Sequence, residues 1–235
     1  MEKKLGKLPV MILTVLAAAI AFVLRVVQLN TAVDPTGRLV SGAGKGPLTW
    51  LCLLVLALSV VYACLAQPRQ ELKNTQSVGV MAATLVAAFC MALSSVSLWM
   101  GERVLGIGGI MTAVCWVIIA LLRQQKTVPS AVLFMLPALF DAVRLIVEFR
   151  DWSRDPQILD YCFDLLAGIC VMCATFHFGA FSFGKGPRKR SLFFCMAGTV
   201  FCVIAMAGAD LIGVVSMAAS ALWLMSNLWL LLGEE

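Results

Sequence analysis

Residues 141–164 read DAVRLIVEFRDWSRDPQILDYCFD, and this stretch holds six acidic residues and three arginines. Around it the sequence consists of long runs of Leu, Val, Ala, Met, Phe and Cys. The whole chain is 61% hydrophobic and 13% charged, with a mean hydropathy of +0.95. Soluble domains carry about 25% charged residues. The composition therefore predicts an integral membrane protein without a soluble domain, in which residues 141–164 are the main place where charge enters apolar segments.

Charge clusters and Gly/Pro residues divide the chain into eight apolar segments. The first is about 20 residues long and is followed by no small-residue cleavage site, so we expect a retained helix rather than a signal peptide. The junction at 206–210 is the weakest boundary, and seven helices is the alternative. The sequence predicts an all-α, polytopic transmembrane bundle with helices at approximately 9–29, 48–66, 78–98, 105–122, 129–148, 158–183, 191–208 and 211–232.

Lys and Arg residues are distributed unequally between the two sides of this topology. With the N-terminus inside, the inner connections hold eleven of them and the outer connections five. Cytoplasmic connections are typically the basic ones, so we expect both termini inside. There is no Asn-x-Ser/Thr sequon, which favours a bacterial cytoplasmic membrane. The net charge of +5 follows from the inner connections and gives no reason to expect nucleic acid as a partner.

Landmarks recur in the two halves in the same order, which predicts an internal repeat. The first helix has a Pro, an Arg and then an Asp-Pro pair, and the fifth helix has the same series at similar spacing. Two further helices of the first half resemble helices of the second half, and in one of these pairs a Trp occupies the matching position in both helices. The matched residues are Pro9 with Pro129, Arg25 with Arg144, Asp34-Pro35 with Asp155-Pro156, and Trp116 with Trp223. We therefore expect two parallel four-helix units, 1–123 and 124–235.

One face of the fifth helix is polar. Pro137, Asp141, Arg144 and Glu148 are spaced by four, three and four residues, which puts them within about 60° of one another on a helix. Such a stripe should face protein or a wet cavity rather than lipid. Two interpretations stay open: Asp141 simply pairs with Arg144 while Arg144 and Glu148 reach the outer interface, or the stripe binds a solute, an ion or a lipid headgroup.

Arg25 and Asp164 are the other candidate site residues. Arg25 could join Arg144 in a clamp for an anion, because guanidinium groups bind carboxylate or phosphate in a fork. The alternative is that Arg25 only extends to the outer interface. Asp160 and Asp164 begin the sixth helix, where acids are also favoured by the helix dipole alone.

The sixth helix carries Cys170, Cys173 and the single histidine, His177, on one face. Two thiols and an imidazole suit Zn²⁺ or Cu(I), but no fourth ligand is evident. A core histidine bonded to a neighbouring helix is the preferred interpretation. No nucleophile–base or metalloprotease arrangement occurs, so we expect no enzyme and no cofactor. The nine cysteines lie in or beside apolar runs, and we expect no disulfides.

The segment FRDWSRDPQILDYCFDLLAGIC, residues 149–170, resembles one found in uncharacterised multi-pass membrane proteins of anaerobic Gram-positive bacteria. The resemblance covers roughly residues 141–186. It implies a bacterial membrane protein and no particular activity.

These patterns lead to two functional hypotheses. The first is a transporter-like protein that binds a small solute, anion or lipid headgroup at an outward-facing site between the halves, formed by Arg144, Asp141, Glu148, Asp164 and Arg25. The second is a non-catalytic membrane subunit that docks a partner protein through the outer loop 149–157, with Trp152 as its anchor. A water-accessible cavity at Asp141 would favour the first, and a fully paired Asp141 the second.

Overall fold

A computed structural model describes residues 7–31, 46–66, 77–99, 102–152 and 162–233. Within these ranges the chain forms eight α-helices and no strand, which confirms the predicted helical bundle. The helices are α1 (Lys7–Thr31), α2 (Pro47–Leu65), α3 (Val78–Trp99), α4 (Arg103–Gln124), α5 (Val132–Trp152), α6 (Cys162–Phe181), α7 (Arg188–Met206) and α8 (Leu211–Leu232).

The weakest predicted boundary is a true helix break. Helix α7 ends at Met206, and α8 begins five residues later at Leu211. The Asp210 carboxylate accepts a hydrogen bond from the Gly213 backbone N–H at 2.9 Å, so it caps the first turn of α8. The described chain therefore has eight helices rather than seven.

Seven of the eight helices are long and apolar enough to cross a membrane. The exception is α5, which has 21 residues like its neighbours but carries the charged stripe. Large apolar side chains are exposed along the outside of the bundle; Leu8, Trp50, Val104 and Ile146 are all more than 60% exposed. In water such a surface would be unfavourable, so the lipid bilayer must cover it.

Six helices form a ring. Around it α3 contacts α4, α4 contacts α5, α5 contacts α6, α6 contacts α7, α7 contacts α8, and α8 returns to α3. Helices α1 and α2 lie outside the ring against α7, and α1 also touches α8. We call the end at which α1 begins the inner end, following the predicted orientation, and the opposite end the outer end.

Aromatic side chains fill the middle of the ring. Trp116 of α4 and Trp223 of α8 stack face to face, with ring centroids 4.7 Å apart and planes 8° from parallel. Phe134 of α5 lies 6.5 Å from Trp223, and Phe178 of α6 lies 6.3 Å from Phe134. The centre of the ring is thus packed with aromatic side chains. They separate the polar groups near the inner end from those near the outer end.

The predicted halves share this core, because α3 and α4 complete a ring with α5 to α8. Trp116 and Trp223, predicted as equivalent positions, are in direct contact. Pro9 lies in the first turn of α1, whereas Pro129 precedes α5, so this pair of landmarks does not occupy equivalent places. The two Asp-Pro pairs lie outside the described residues. The repeat and the orientation stay predictions.

Candidate functional site

The polar stripe of α5 faces the other helices rather than lipid. Arg144 donates from Nε to Glu148 Oε1 at 2.6 Å, one turn along the same helix. Its Nη1 donates to Ser216 Oγ of α8 at 2.9 Å. The side chains of Arg144 and Glu148 are 19% and 23% exposed. The guanidinium therefore ties α5 to α8 near the outer end of the ring.

Asp141 does not have the environment that one of the two interpretations required. That interpretation pairs Asp141 with Arg144, but Arg144 donates its hydrogen bonds to Glu148 and Ser216. Asp141 is only 8% exposed, and its carboxylate has no hydrogen bond or ion pair within the described part of the chain. It does lie close enough to Arg144 and Glu148 to interact with both electrostatically. Buried carboxylates usually have hydrogen-bond partners, so Asp141 is an unusual group.

Asp164 joins this cluster from the first turn of α6. It interacts electrostatically with Glu148, Arg144 and Arg25. Arg25 of α1 is 4% exposed, donates to Gln28 Oε1 at 3.0 Å, and lies 5.0 Å from the ring centroid of Phe163. The five predicted site residues therefore share one region of the bundle. Asp160, the predicted companion of Asp164, is outside the described residues.

A small cavity lies at the centre of this cluster. Its polar lining comes from Asp141, Arg144, Glu148, Asp164 and Ser220. Its volume is about 10 Å³, which is room for one water molecule. All of the lining belongs to α5, α6 and α8, so this cavity does not lie between the two predicted halves. It lies within residues 124–235, and Arg25 approaches from outside it.

Glycine brings α5 and α6 together beside the cavity. A Cβ atom added at Gly168 of α6 would lie 2.6 Å from Leu145 Cδ2 of α5. Small residues allow this kind of close helix contact in membranes. The close approach places Asp164, one turn before Gly168, opposite Glu148 and Arg144.

The candidate metal ligands of α6 do not form a metal-binding group within the described residues. Across the described ranges, no group of three or more His, Cys, Asp or Glu side chains is placed to hold a metal ion. His177 lies instead among aromatic rings, 5.8 Å from Phe176 and 5.6 Å from Phe194 between centroids. Cys170 is buried and Cys173 is half-buried on the same helix.

Helix α8 contributes polar side chains that were not predicted as site residues. Ser216, Ser220, Trp223 and Asn227 recur at intervals of four, three and four residues, the same spacing as the α5 stripe. Ser216 contacts Arg144, and Ser220 lines the cavity. Trp223 donates to Thr175 Oγ1 at 3.3 Å, and Asn227 accepts from Arg123 at 2.9 Å. The spacing itself is visible in the sequence, but a serine in an apolar helix is a weaker indication of a site than a charged residue.

The chain matches no protein-family model, no curated protein and no solved structure. Its class therefore rests on the fold and composition. Eight helices, seven of them apolar candidate spans, and a lipid-compatible outer surface define an integral multi-pass membrane protein.

Proposed function

We propose that this protein binds a small, positively charged solute in the outer polar cavity and belongs to the transporter type of membrane protein. The single observation that carries the proposal is Asp141. The residue is more than nine-tenths buried and borders the cavity, and its carboxylate, whose oxygens keep some accessible surface, has no hydrogen-bond partner in the described chain. A buried carboxylate without a partner is costly, and a bound cation would remove that cost.

The charge balance favours a cation over an anion. Three carboxylates, those of Asp141, Glu148 and Asp164, surround the cavity, and Arg144 is the only basic group in its lining. Arg25, whose guanidinium lies over the ring of Phe163, adds a second positive charge near Asp164. Even with both arginines counted, one negative charge remains if every group is ionised. An anion clamp between Arg25 and Arg144 is therefore the weaker form of the original hypothesis.

The volume of the cavity suits one water molecule or a bare ion. A larger solute requires α5 to separate from α6 and α8. Pro137 lies inside α5, one turn before Asp141, and proline removes a backbone hydrogen bond and favours a kink. We propose that α5 bends near Pro137 when the cavity opens to the outside, in a bacterial cytoplasmic membrane, and that binding rather than catalysis is the activity.

The docking alternative has less support. It required a closed bundle with Asp141 paired to Arg144, and that pair is not formed in the described chain. Residues 149–152 of the proposed docking loop continue α5 to Trp152. Residues 153–157 lie outside the described part.

A thermal-stability screen tests the proposal. The purified protein in detergent would be titrated with sodium, potassium and small organic ammonium salts at constant ionic strength. We expect at least one cation to raise the melting temperature of the wild type in a saturable way and to have no such effect on Asp141→Asn. Glu102→Gln is the matched control, because Glu102 is an exposed acid at the start of α4 with no side-chain capping bond. If every cation acts equally on Asp141→Asn and Glu102→Gln, the proposal is wrong.

A further inference from the structure

Arg123, in the last turn of α4 at the inner end, is a buried cation. Its place at the end of an apolar segment predicts a residue of an inner connection, but Arg123 is only 3% exposed. Its Nη1 donates to Asn227 Oδ1 of α8 at 2.9 Å, and the guanidinium carbon lies 5.6 Å from the ring centroid of Phe134 of α5. Asn227 is fully buried and is itself held by a 2.8 Å bond from Nδ2 to the Trp223 carbonyl.

No carboxylate compensates the charge of Arg123 within the described chain. The guanidinium has five N–H donors, and the bond to Asn227 is the one that it makes there. Its nitrogens are not among the fully buried atoms that lack a partner, so the unused donors keep a small accessible surface at the inner end. A buried charge normally has a counter-charge. A ring face and one amide oxygen supply only part of that compensation.

The surroundings of Arg123 are basic. Every described acid lies at mid-depth or toward the outer end of the bundle. The charged groups described at the inner end are all cations: Arg123, Lys126, Lys185, Arg188, Lys189 and Arg190. A surface of one sign raises the local concentration of oppositely charged ligands. The inner end therefore attracts anions toward Arg123.

We propose that Arg123 forms a binding site for a phosphate group at the inner end of the six-helix ring. The planar guanidinium matches two phosphate oxygens in a fork, which a lysine does not. Asn227 is a positioning residue, because it holds the guanidinium while its own amide is fixed to the Trp223 carbonyl. The phosphate comes either from the headgroup of an anionic lipid or from free phosphate in solution. This site is separate from the outer cavity and does not depend on the function proposed for it.

Two measurements distinguish the sources of phosphate. In the first, inorganic phosphate is titrated into the detergent-purified protein against sodium chloride of equal ionic strength, and the melting temperature is followed. In the second, the protein is compared in nanodiscs of phosphatidylcholine alone and of an equal mixture with phosphatidylglycerol. Arg123→Gln removes the charge, and Arg123→Lys keeps the charge but loses the fork. Arg103→Gln is the matched control, since Arg103 is an exposed arginine at the other end of the same helix.

We expect saturable stabilisation of the wild type in at least one arm. The apparent Kd should be at least about tenfold higher in Arg123→Gln, a difference well outside experimental error. It should be unchanged in Arg103→Gln. A response to inorganic phosphate identifies a free phosphate ligand, and a response to phosphatidylglycerol alone identifies a lipid headgroup. A wild type that responds in neither arm overturns the proposal, as does an equal loss in Arg103→Gln. If Arg123→Gln does not fold, the wild-type titrations and Arg123→Lys still decide, because Arg123→Lys must bind more weakly.

Discussion

Arg144 is the side chain whose removal should disturb the outer site most. It makes a 2.6 Å ion pair with Glu148 and a 2.9 Å hydrogen bond to Ser216, and it is the only cation in the cavity lining. Replacing it with Gln leaves the carboxylates of Asp141, Glu148 and Asp164 around the cavity without a compensating charge from the lining. The Arg144→Gln protein should therefore lose the tie between α5 and α8 and gain electrostatic repulsion.

The size of this effect can be estimated from its parts. Interhelical hydrogen bonds in membrane proteins contribute about 0.6 kcal/mol on average, which is the share expected for Ser216. A hydrogen bond to a charged group contributes about 1.5–3 kcal/mol. Because Glu148 is partly exposed, we expect the contribution of the Arg144–Glu148 pair to be near the lower value. We expect Arg144→Gln to reduce the free energy of unfolding by about 2–3 kcal/mol and Ser216→Ala to reduce it by about 0.6 kcal/mol.

Unfolding in mixed detergent micelles provides the assay, with a double-mutant cycle of Arg144→Gln and Glu148→Gln. The coupling energy should be about 1–2 kcal/mol, because either single change leaves a half-buried partner unpaired. Arg103→Gln, which removes an exposed arginine, should stay within about 0.5 kcal/mol of wild type. Additive effects in the cycle, or an Arg144→Gln protein as stable as Arg103→Gln, would show that the pair behaves as an ordinary surface contact and would refute this reasoning.

Two further predictions concern α8. Asp210→Ala removes the side-chain bond to the Gly213 N–H and should cost about 1 kcal/mol in the same unfolding assay; an unchanged stability would mean that Asp210 does not cap the helix. The stacked tryptophans should respond unequally to replacement by Phe. Trp223 donates to Thr175, whereas the buried Trp116 Nε1 has no partner in the described chain. Trp223→Phe should therefore destabilise more than Trp116→Phe, by about 1 kcal/mol, and the reverse order would contradict the assigned hydrogen bonds.

The charged stripe on α5 was predictable, but its pairing was not. Helical spacing puts Asp141, Arg144 and Glu148 on one face, and the cost of charge in a bilayer turns that face inward. Spacing allows Arg144 to pair with the residue three before it or the residue four after it. In the structure Arg144 donates to Glu148 and also to Ser216, which lies on a helix 72 residues further along the chain.

Arg123 is the clearest example of a residue that sequence alone misplaces. It lies at the end of an apolar segment, where a cation normally extends into the aqueous interface. Its burial follows from Asn227 and Phe134, which approach from α8 and α5. Because helix neighbours in the ring are not sequence neighbours, no local pattern around Arg123 indicates that contact.

The sequence by itself determined that this protein is a bundle of helices in a membrane, and which face of α5 is polar. These properties follow from hydropathy and helical periodicity, which act locally along the chain. The tertiary structure alone decided that six helices close into a ring around Trp116 and Trp223, and that Arg144 pairs with Glu148 and Ser216 rather than with Asp141. It also decided that the outer cavity lies among α5, α6 and α8 rather than between the halves. Apolar helices of similar composition pack with many partners, and side-chain shape and polar contacts, rather than hydrophobicity, select among them.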